Sequence, residues 1–278
     1  ALPAIKGEKT EEERFPGAKN TYTFETMMQD GKALQAGTSH YLGQTFAQAF
    51  NLKFLDRANN EQTAYTTSWG ISTRLIGGII MSHSDDDGLV LPPAVAPYQV
   101  VIIPFTKNDG SSDNVLTYAQ KIGDELEALG LRYFIDLSEE SGSNKTWKWI
   151  KKGAPIRLEI GGKEAENASV TVARRDGEKG NKISLSEKNL NQLNDILKDI
   201  TKNLYAKACG YRDSKTTTVK TLSELEKLFA NDYKGFVLIE KGLTDSSDFT
   251  AIAEKYSLSR RCMPLESNGK MVIIAKSY

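Results

Sequence analysis

Two short segments of the chain contain side chains whose types and spacing suit the binding of a small anionic or polar ligand. In SWGISTR, at residues 68–74, Ser72 and Arg74 follow a glycine and precede an apolar run. A helix that begins there directs unpaired backbone N–H groups, the positive end of its dipole and a guanidinium at one spot, as an anion-binding site requires. Gly70 lets a ligand approach the backbone closely.

The second segment, GTSH at residues 37–40, carries a hydroxyl and an imidazole two positions apart. On a β-strand, Thr38 and His40 point to the same face, where they can recognise a small polar ligand. A single strand histidine is more often structural, and a single arginine is more often a surface or capping residue. Taken without their surroundings, these two segments leave both alternatives open.

A third segment, TWKWIKK at residues 146–152, interleaves Trp147 and Trp149 with basic side chains. Aromatic planes beside charges that neutralise phosphate are suited to single-stranded nucleic acid. The alternative is that both tryptophans belong to the core. Arg174 and Arg175 are weaker candidates of the same kind. The basic side chains around the tryptophans are Lys145, Lys148, Lys151 and Lys152.

Metal and disulfide chemistry have few candidate ligands. The cysteines are Cys209 and Cys262 and the histidines are His40 and His83, so neither a disulfide framework nor a four-thiolate zinc site is expected. The acidic run at residues 85–87 is more typical of a solvated turn than of a Mg²⁺ site. His83 is expected to interact with the end of a helix dipole. We predict no metal site.

Periodicity and turn signals predict the elements that must position these residues. Residues 1–20 are predicted to be an irregular arm, and residues 89–99, with three prolines, are predicted to be a linker. Glycine inside the strand around Gly37 indicates a bulge. The segment 146–152 is predicted to be a short aromatic turn. The predicted strands are 22–28, 32–43, 64–70, 100–105, 132–136, 154–160, 168–175, 181–186 and 235–240, followed by two short ones. The predicted helices are one around 46–50 and those at 71–83, 112–129, 187–208, 222–230 and 246–254.

These elements predict an α+β and α/β protein with three segments. Residues 1–94 are predicted to form part of an antiparallel-sheet domain, residues 95–208 a mixed-sheet α/β domain and residues 209–278 a small α/β domain. The 278 residues carry 36 basic and 36 acidic side chains, so no bulk charge indicates a nucleic-acid or membrane partner. No apolar run approaches the ~20 residues that span a bilayer. We expect a soluble, cytoplasmic protein.

Two longer strings contain these motifs. KALQAGTSHYLGQTFAQAF at residues 32–50 and TSWGISTRLIGGIIMSHSDDDGLVLPPAVAPYQVVIIP at residues 67–104 closely resemble prolyl-tRNA synthetases of the archaeal and eukaryotic-like type. The resemblance spans essentially the whole chain. It implies part of a class II catalytic domain with its motif 3, then an anticodon-binding domain, then a C-terminal domain.

The resemblance also implies roles for individual residues. Arg74 matches the motif 3 arginine that the family uses against the ATP phosphates, and it is the expected catalytic residue. Gln35 and Thr38 match adenosine contacts, and Ser72 matches another ATP contact. The family's proline pocket corresponds to His40, Trp69 and Gly70. The residues expected to bind the tRNA anticodon are Trp147, Lys148, Lys151 and Arg157.

Several features depart from the family pattern. Motifs 1 and 2 lie upstream of the point that matches Ala1, so we expect a fragment or separately numbered portion that is inactive alone. The region that holds zinc in many relatives has no cysteine, so a zinc-free domain is expected. Ile150 occupies a position that is often acidic in relatives. No editing insertion is found, and no cis-editing activity is expected.

The implied function is proline–tRNA ligation. Proline attacks the α-phosphate of ATP to give prolyl-adenylate, and tRNA(Pro) then accepts the prolyl group. The implied ligands are ATP with Mg²⁺, proline and tRNA(Pro), and the full-length enzyme is expected to be a homodimer without a membrane partner. The alternative is a non-catalytic tRNA-binding module or regulatory paralogue. A third hypothesis, an α/β ligand-binding protein unrelated to tRNA, requires the string match to be coincidence.

Overall fold

The computed structural model describes residues 1–106, 112–177 and 181–278, and these form two compact units. The large-sheet unit comprises residues 2–82 and 209–278, and the small-sheet unit comprises residue 1 and residues 83–208. Residues 2–82 and residues 209–278 therefore belong to one compact unit, whereas the sequence places them in separate segments. The predicted boundaries after residues 94 and 208 stay predictions.

The first part of the large-sheet unit contains the two segments with candidate ligand-binding residues. Its strands are β1 (Ala4–Glu8), β2 (Asn20–Met27), β3 (Ala33–Gly43), β4 (Lys53–Leu55), β5 (Glu61–Thr63) and β6 (Thr66–Gly70), and its helices are α1 (Thr45–Ala49) and α2 (Arg74–His83). The three predicted strands correspond to β2, β3 and β6. The predicted helix at 71–83 begins three residues later, at Arg74.

The prediction of an irregular arm over residues 1–20 is wrong, because β1 lies inside the sheet. It pairs antiparallel with β2 along its whole length and with a C-terminal strand through Gly7 and Glu8. A Cβ atom at Gly7 would lie 2.4 Å from the Cys262 Sγ atom, so only glycine fits here. The sequence AIKGE has no clear alternation, and its strand conformation comes from partners on both sides.

The small-sheet unit has the mixed sheet that the sequence predicts. Its strands are β7 (Val100–Pro104), β8 (Tyr133–Ile135), β9 (Ile156–Ile160), β10 (Ser169–Arg174) and β11 (Lys182–Ser186). Its helices are α3 (Ser112–Ala128), α4 (Gly142–Lys151), α5 (Gly162–Glu166) and the start of α6 (Gln192–Ser214). The strand order is β11-β10-β9-β7-β8, with β7 parallel to β8 and β9 and the remaining pairs antiparallel. Apolar side chains of β7, β9 and α3 form its core.

Helix α4 replaces the aromatic turn predicted at residues 146–152, which is a second correction. Ser141 caps this helix, because its hydroxyl accepts the Asn144 N–H at 3.3 Å. Lys145 and Trp149, four residues apart, are buried on one face. Because tryptophans and lysines alternate in this segment, the four-residue spacing of the buried positions is not visible in the sequence. The N-cap serine is the sequence signal that identifies the helix.

The last part of the chain completes the large-sheet unit. Helix α6 continues to Ser214, beyond the boundary predicted at residue 208, and a 3₁₀ turn (Glu187–Asn189) occupies its predicted start. The later elements are β12 (Thr216–Thr218), α7 (Leu222–Ala230), β13 (Phe236–Glu240), α8 (Lys241–Thr244), α9 (Ser247–Tyr256), β14 (Ser259–Pro264) and β15 (Met271–Ala275). The resulting sheet has the order β12-β13-β15-β14-β1-β2-β3-β6.

A buried charged cluster joins the two parts of this sheet. Glu25 on β2 is fully buried, and its Oε2 atom accepts hydrogen bonds from Nε and Nη2 of Arg261 on β14 at 2.9 and 2.8 Å. Its Oε1 atom accepts from the Thr23 hydroxyl at 3.0 Å and lies 3.3 Å from the Lys9 ammonium. The cluster thus connects strands on either side of β1.

We predict that Glu25→Gln lowers the free energy of unfolding of the chain by about 3–5 kcal/mol, because it leaves two buried cations without a counter-charge. Urea denaturation measures this change. Glu226→Gln is the control, since its ion pair with Lys255 is exposed and contributes less than about 1 kcal/mol. Equal effects of the two variants would contradict the importance of the buried cluster.

Candidate functional site

Strands β3 and β6 bring the two candidate segments of the large-sheet unit together. Thr38 pairs with Gly70, and His40 pairs with Ser68. The predicted bulge is confirmed, since Phe24 pairs with Gly37 and the next residue of β2 pairs with Gln35, which skips Ala36. A Cβ atom at Gly37 would lie 3.0 Å from the Ile71 side chain, so the glycine permits the chain after β6 to come close.

The start of α2 carries an exposed guanidinium, that of Arg74. The Ser72 hydroxyl accepts the Arg74 N–H at 3.3 Å, and the N–H groups of Leu75 and Ile76 bond to carbonyls of the same turn. Fewer backbone donors are therefore free than a bare helix start offers. The Arg74 side chain is exposed, and among the described residues it has neither a hydrogen bond nor an ion pair. The dipole and this charge remain available to an anion.

His40 is held by groups from outside the GTSH segment. Its Nδ1 atom lies 3.0 Å from the Thr21 Oγ1 atom on β2, and its ring lies 4.9 Å from the ring of Phe15. Partial burial lowers the pKa of His40 below its usual value, which favours the neutral ring. Neither Thr21 nor Phe15 carries a motif that identifies it in the sequence.

Trp69 and Gly70 are placed differently from each other. Gly70 pairs with Thr38 and lies on the same face of the sheet as Thr38 and His40. Trp69 pairs with Ser39 and therefore lies on the opposite face. The Trp69 side chain is 79% exposed. The strand register thus gives no support to Trp69 as a wall beside His40, and that role stays a prediction.

In the small-sheet unit, a cavity of about 260 Å³ lies between α4 and the strands β9, β10 and β11. Trp147 lines it and is 46% exposed, and Arg157 lines it from β9 with only 6% exposure. Within the described ranges, the Arg157 Nε and Nη1 atoms and the Glu159 Oε1 atom are buried without hydrogen-bond partners. Burial lowers the pKa of Arg157, although Glu159 opposes this shift. These groups can bind a planar ligand that has both acceptors and donors.

The period of α4 separates its aromatic and basic side chains. Trp149 is buried and donates its indole N–H to the Asp136 Oδ2 atom at 2.7 Å, which agrees with the core alternative for this residue. Trp147 and Lys151, also four residues apart, lie on an exposed face. Lys148 pairs with Asp136 at 2.9 Å and with Glu140 at 2.6 Å, so its ammonium is already neutralised.

The two weaker basic candidates are also engaged within the unit. Arg174 pairs with Asp176 and Asp199 at 2.8 and 2.7 Å. Arg175 forms a two-pronged contact with Asp85 at 2.8 and 2.5 Å and also bonds to the Gly88 carbonyl. The acidic run at 85–87 therefore begins with a structural ion pair.

The described part of the chain has neither a cluster of candidate metal ligands nor a helix suited to cross a membrane. Among residues 1–106, 112–177 and 181–278, no three His, Cys, Asp or Glu side chains come together as a metal site requires. Burial raises the pKa of the Cys262 thiol to about 12, so this thiol stays protonated. Within the same ranges, no helix combines the length and apolarity that a bilayer crossing requires.

Comparison with known proteins gives consistent matches. A family profile described as an anticodon binding domain matches residues 99–189. A proline–tRNA ligase from Akkermansia muciniphila is 44% identical over 97% of this chain and 54% of its own length. The proline–tRNA ligase of Paramagnetospirillum magneticum is 41% identical over 100% of this chain and 59% of its own.

The matching solved structures include a prolyl-tRNA synthetase from Cryptosporidium parvum complexed with L-proline and AMP. Its TM-score is 0.88 at 30% identity, and the match covers 100% of this chain and 62% of that one. A second structure from the same organism, with halofuginone and AMPPNP, has a TM-score of 0.87. The chain thus spans about three fifths of the length of these relatives.

Asp136 controls the position of α4, and this gives a test. Burial raises the pKa of this carboxyl, but hydrogen bonds from Ser138, Lys148 and Trp149 outweigh it and hold the pKa well below its usual range. A depressed carboxyl pKa stabilises the fold above the unfolded value and loses this contribution as pH falls. We expect Asp136→Asn to lower the free energy of unfolding by about 2–3 kcal/mol at pH 7.

The difference in the free energy of unfolding between the wild type and Asp136→Asn should shrink as the pH falls below about 4. Urea unfolding at several pH values, followed by tryptophan fluorescence, measures it. Asp195→Asn is the control, because the Asp195 pair with Lys198 is exposed. A difference that does not change with pH would contradict the role given to the ionised carboxylate.

Proposed function

Because the chain belongs to the prolyl-tRNA synthetase family, we propose that it contributes to the ATP-dependent ligation of proline to tRNA(Pro). The observation that carries this proposal is the identity of 41–44% with proline–tRNA ligases along nearly the whole chain. The chain covers 54–59% of those relatives, so the complete activity is proposed for the protein that contains this sequence. We place that protein in the cytoplasm, as a homodimer.

In the first reaction step, the proline carboxylate attacks the α-phosphate of ATP and pyrophosphate leaves. Arg74 stabilises the negative charge of the phosphates, because its guanidinium at the start of α2 is exposed and has no partner among the described residues. Ser72 adds a hydroxyl beside it, and Gln35 and Thr38 hold the adenosine from β3. Rate enhancement then comes from alignment and charge, and no side chain has to act as a nucleophile.

Magnesium is expected to arrive with ATP. The described residues contain no cluster of three candidate metal ligands, so the phosphates of ATP would supply the main ligands of the ion. No zinc is proposed, because Cys262 is buried and protonated and Cys209 lies on α6. Within this chain, Arg74 with the neighbouring Ser72 hydroxyl is proposed to contact the phosphates.

The proline pocket is proposed to lie on the face of β3 and β6 that carries His40 and Gly70. The neutral imidazole is suited to a polar contact with the substrate, and Gly70 leaves room because no atom lies within 4 Å of a Cβ at this position. Trp69 is the least supported member of the set, since its register places it on the other face.

The anticodon is proposed to bind at the cavity beside α4. Trp147 offers an exposed ring on which a base can stack, and Arg157 offers buried donors without partners among the described residues. Lys151 adds an exposed charge for the phosphate backbone. The proposed contribution of Lys148 is indirect, through the ion pairs that fix α4.

We predict that Arg74→Ala reduces proline-dependent ATP–pyrophosphate exchange by two orders of magnitude or more, to about the extent seen when one transition-state donor is removed. The assay uses the protein as its cells make it, with other amino acids as specificity controls. Arg57→Ala, an exposed arginine of the same unit, should leave exchange unchanged. Unchanged exchange in Arg74→Ala would refute the role of Arg74. Absence of exchange in the wild type, with tRNA binding retained, would favour the alternative of a non-catalytic tRNA-binding module.

We also predict that Trp147→Ala weakens tRNA(Pro) binding by about 1–3 kcal/mol through loss of base stacking, whereas Trp147→Phe retains most of the affinity.

Lys151→Ala should reduce the slope of log affinity against log salt by about 0.7, because one phosphate contact is lost. Filter binding at several salt concentrations measures both effects. Lys227→Ala, an exposed lysine on α7, is the matched control, and an equal effect of this change would contradict the proposed anticodon site.

A further inference from the structure

The hydroxyl of Thr21 is placed where it can determine the protonation of His40. Thr21 is 2% exposed, so its side chain is buried. Its Oγ1 atom accepts the backbone N–H of Phe15 at 3.3 Å and lies 3.0 Å from the His40 Nδ1 atom. The described residues offer this hydroxyl no further hydrogen-bond partner.

The donors and acceptors around the Thr21 hydroxyl restrict which nitrogen of His40 carries a proton. The hydroxyl has one hydrogen to donate, and the Phe15 N–H is a donor that uses one of its lone pairs. Among the described residues, the acceptor within reach of the hydroxyl hydrogen is the His40 Nδ1 atom. If Nδ1 carried a proton, the buried hydroxyl would face two donors and its own hydrogen would stay unsatisfied, which is unfavourable.

We propose that Thr21 is a positioning residue that holds His40 in the neutral tautomer with its proton on Nε2. Nδ1 then accepts from Thr21, and Nε2–H remains as a donor for a ligand. In the described part of the chain Nε2 has no hydrogen-bond partner. Partial burial of the ring lowers the pKa of His40 and so favours the same neutral state.

This assignment determines which substrate atom faces His40. A ring that presents N–H binds an acceptor, such as a carboxylate or phosphoryl oxygen, and it does not accept a hydrogen bond from an ammonium group. The inference rests on the proposed function for the identity of the ligand. For proline it places the carboxyl oxygen, and not the ring nitrogen, next to His40.

Nitrogen-15 NMR of the chain labelled at histidine tests the tautomer directly. Only His40 and His83 contribute signals, and a His40→Asn sample assigns them. At a pH where the ring is neutral, we expect a pyridine-type Nδ1 signal and a protonated Nε2 in the wild type. A protonated Nδ1 in the wild type would overturn the proposal, and this measurement needs no substrate.

Two substitutions test whether Thr21 selects that state. Thr21→Val removes the hydroxyl at nearly constant volume, and we expect both nitrogen signals to move toward their average as the tautomers mix. Thr21→Ser should restore the wild-type spectrum. Signals in Thr21→Val that match those of the wild type would show that Thr21 does not select the tautomer.

A kinetic experiment connects the tautomer with the substrate. In pyrophosphate exchange we expect Thr21→Val to raise the KM for proline about fivefold, as loss of one hydrogen bond predicts, with Thr21→Ser close to wild type. In a His40→Asn background Thr21→Val should have no further effect on KM, because Thr21 acts through His40. Equal effects in both backgrounds would overturn that coupling. Absence of proline turnover in the wild type would refute the proposed function and would leave the NMR result unaffected.

Discussion

The large-sheet unit depends on the burial of one carboxylate. Glu25 is fully buried on β2 and is compatible with the core only because Arg261, Lys9 and Thr23 occupy its oxygens. Arg261 belongs to β14, so this charge balance requires a strand from the end of the chain beside strands from its beginning. The hydrophobic contacts of the sheet are less directional, and the ion cluster specifies which strands meet.

The same sheet then supplies the geometry of the candidate substrate site. β2 presents Thr21 to His40, and β3 carries His40 and Thr38 to the edge strand β6. The bulge opposite Phe24 and the missing side chain at Gly37 allow the chain that leads into α2 to pass close to β3. Arg74 stands at the start of that helix, so the proposed phosphate contact and the proposed proline pocket lie on neighbouring elements.

Five basic side chains that the sequence singles out fall into two groups with different physical roles. Arg175, Arg174 and Lys148 are paired with carboxylates and hold loops and helices in place. Arg74 and Arg157 have guanidinium nitrogens without protein partners among the described residues. The nitrogens of Arg157 are the stronger indication of a ligand, because a buried charge without a partner is unfavourable unless a ligand binds it, whereas the exposed Arg74 guanidinium is solvated.

The sequence by itself determined the mixed α/β class, the strands around GTSH and SWGISTR, the bulge at Gly37 and the resemblance to a family, because these depend on local periodicity, glycine and long strings that match a family pattern. It did not determine the β-strand at Ala4–Glu8, whose conformation comes from partners on both sides. It also missed helix α4, since alternating tryptophan and lysine hide the spacing that separates Trp149 in the core from Trp147 on the surface. Which charges are paired, and which hydroxyl faces His40, depends on residues far apart in the chain, and only the tertiary structure brings them within hydrogen-bond distance.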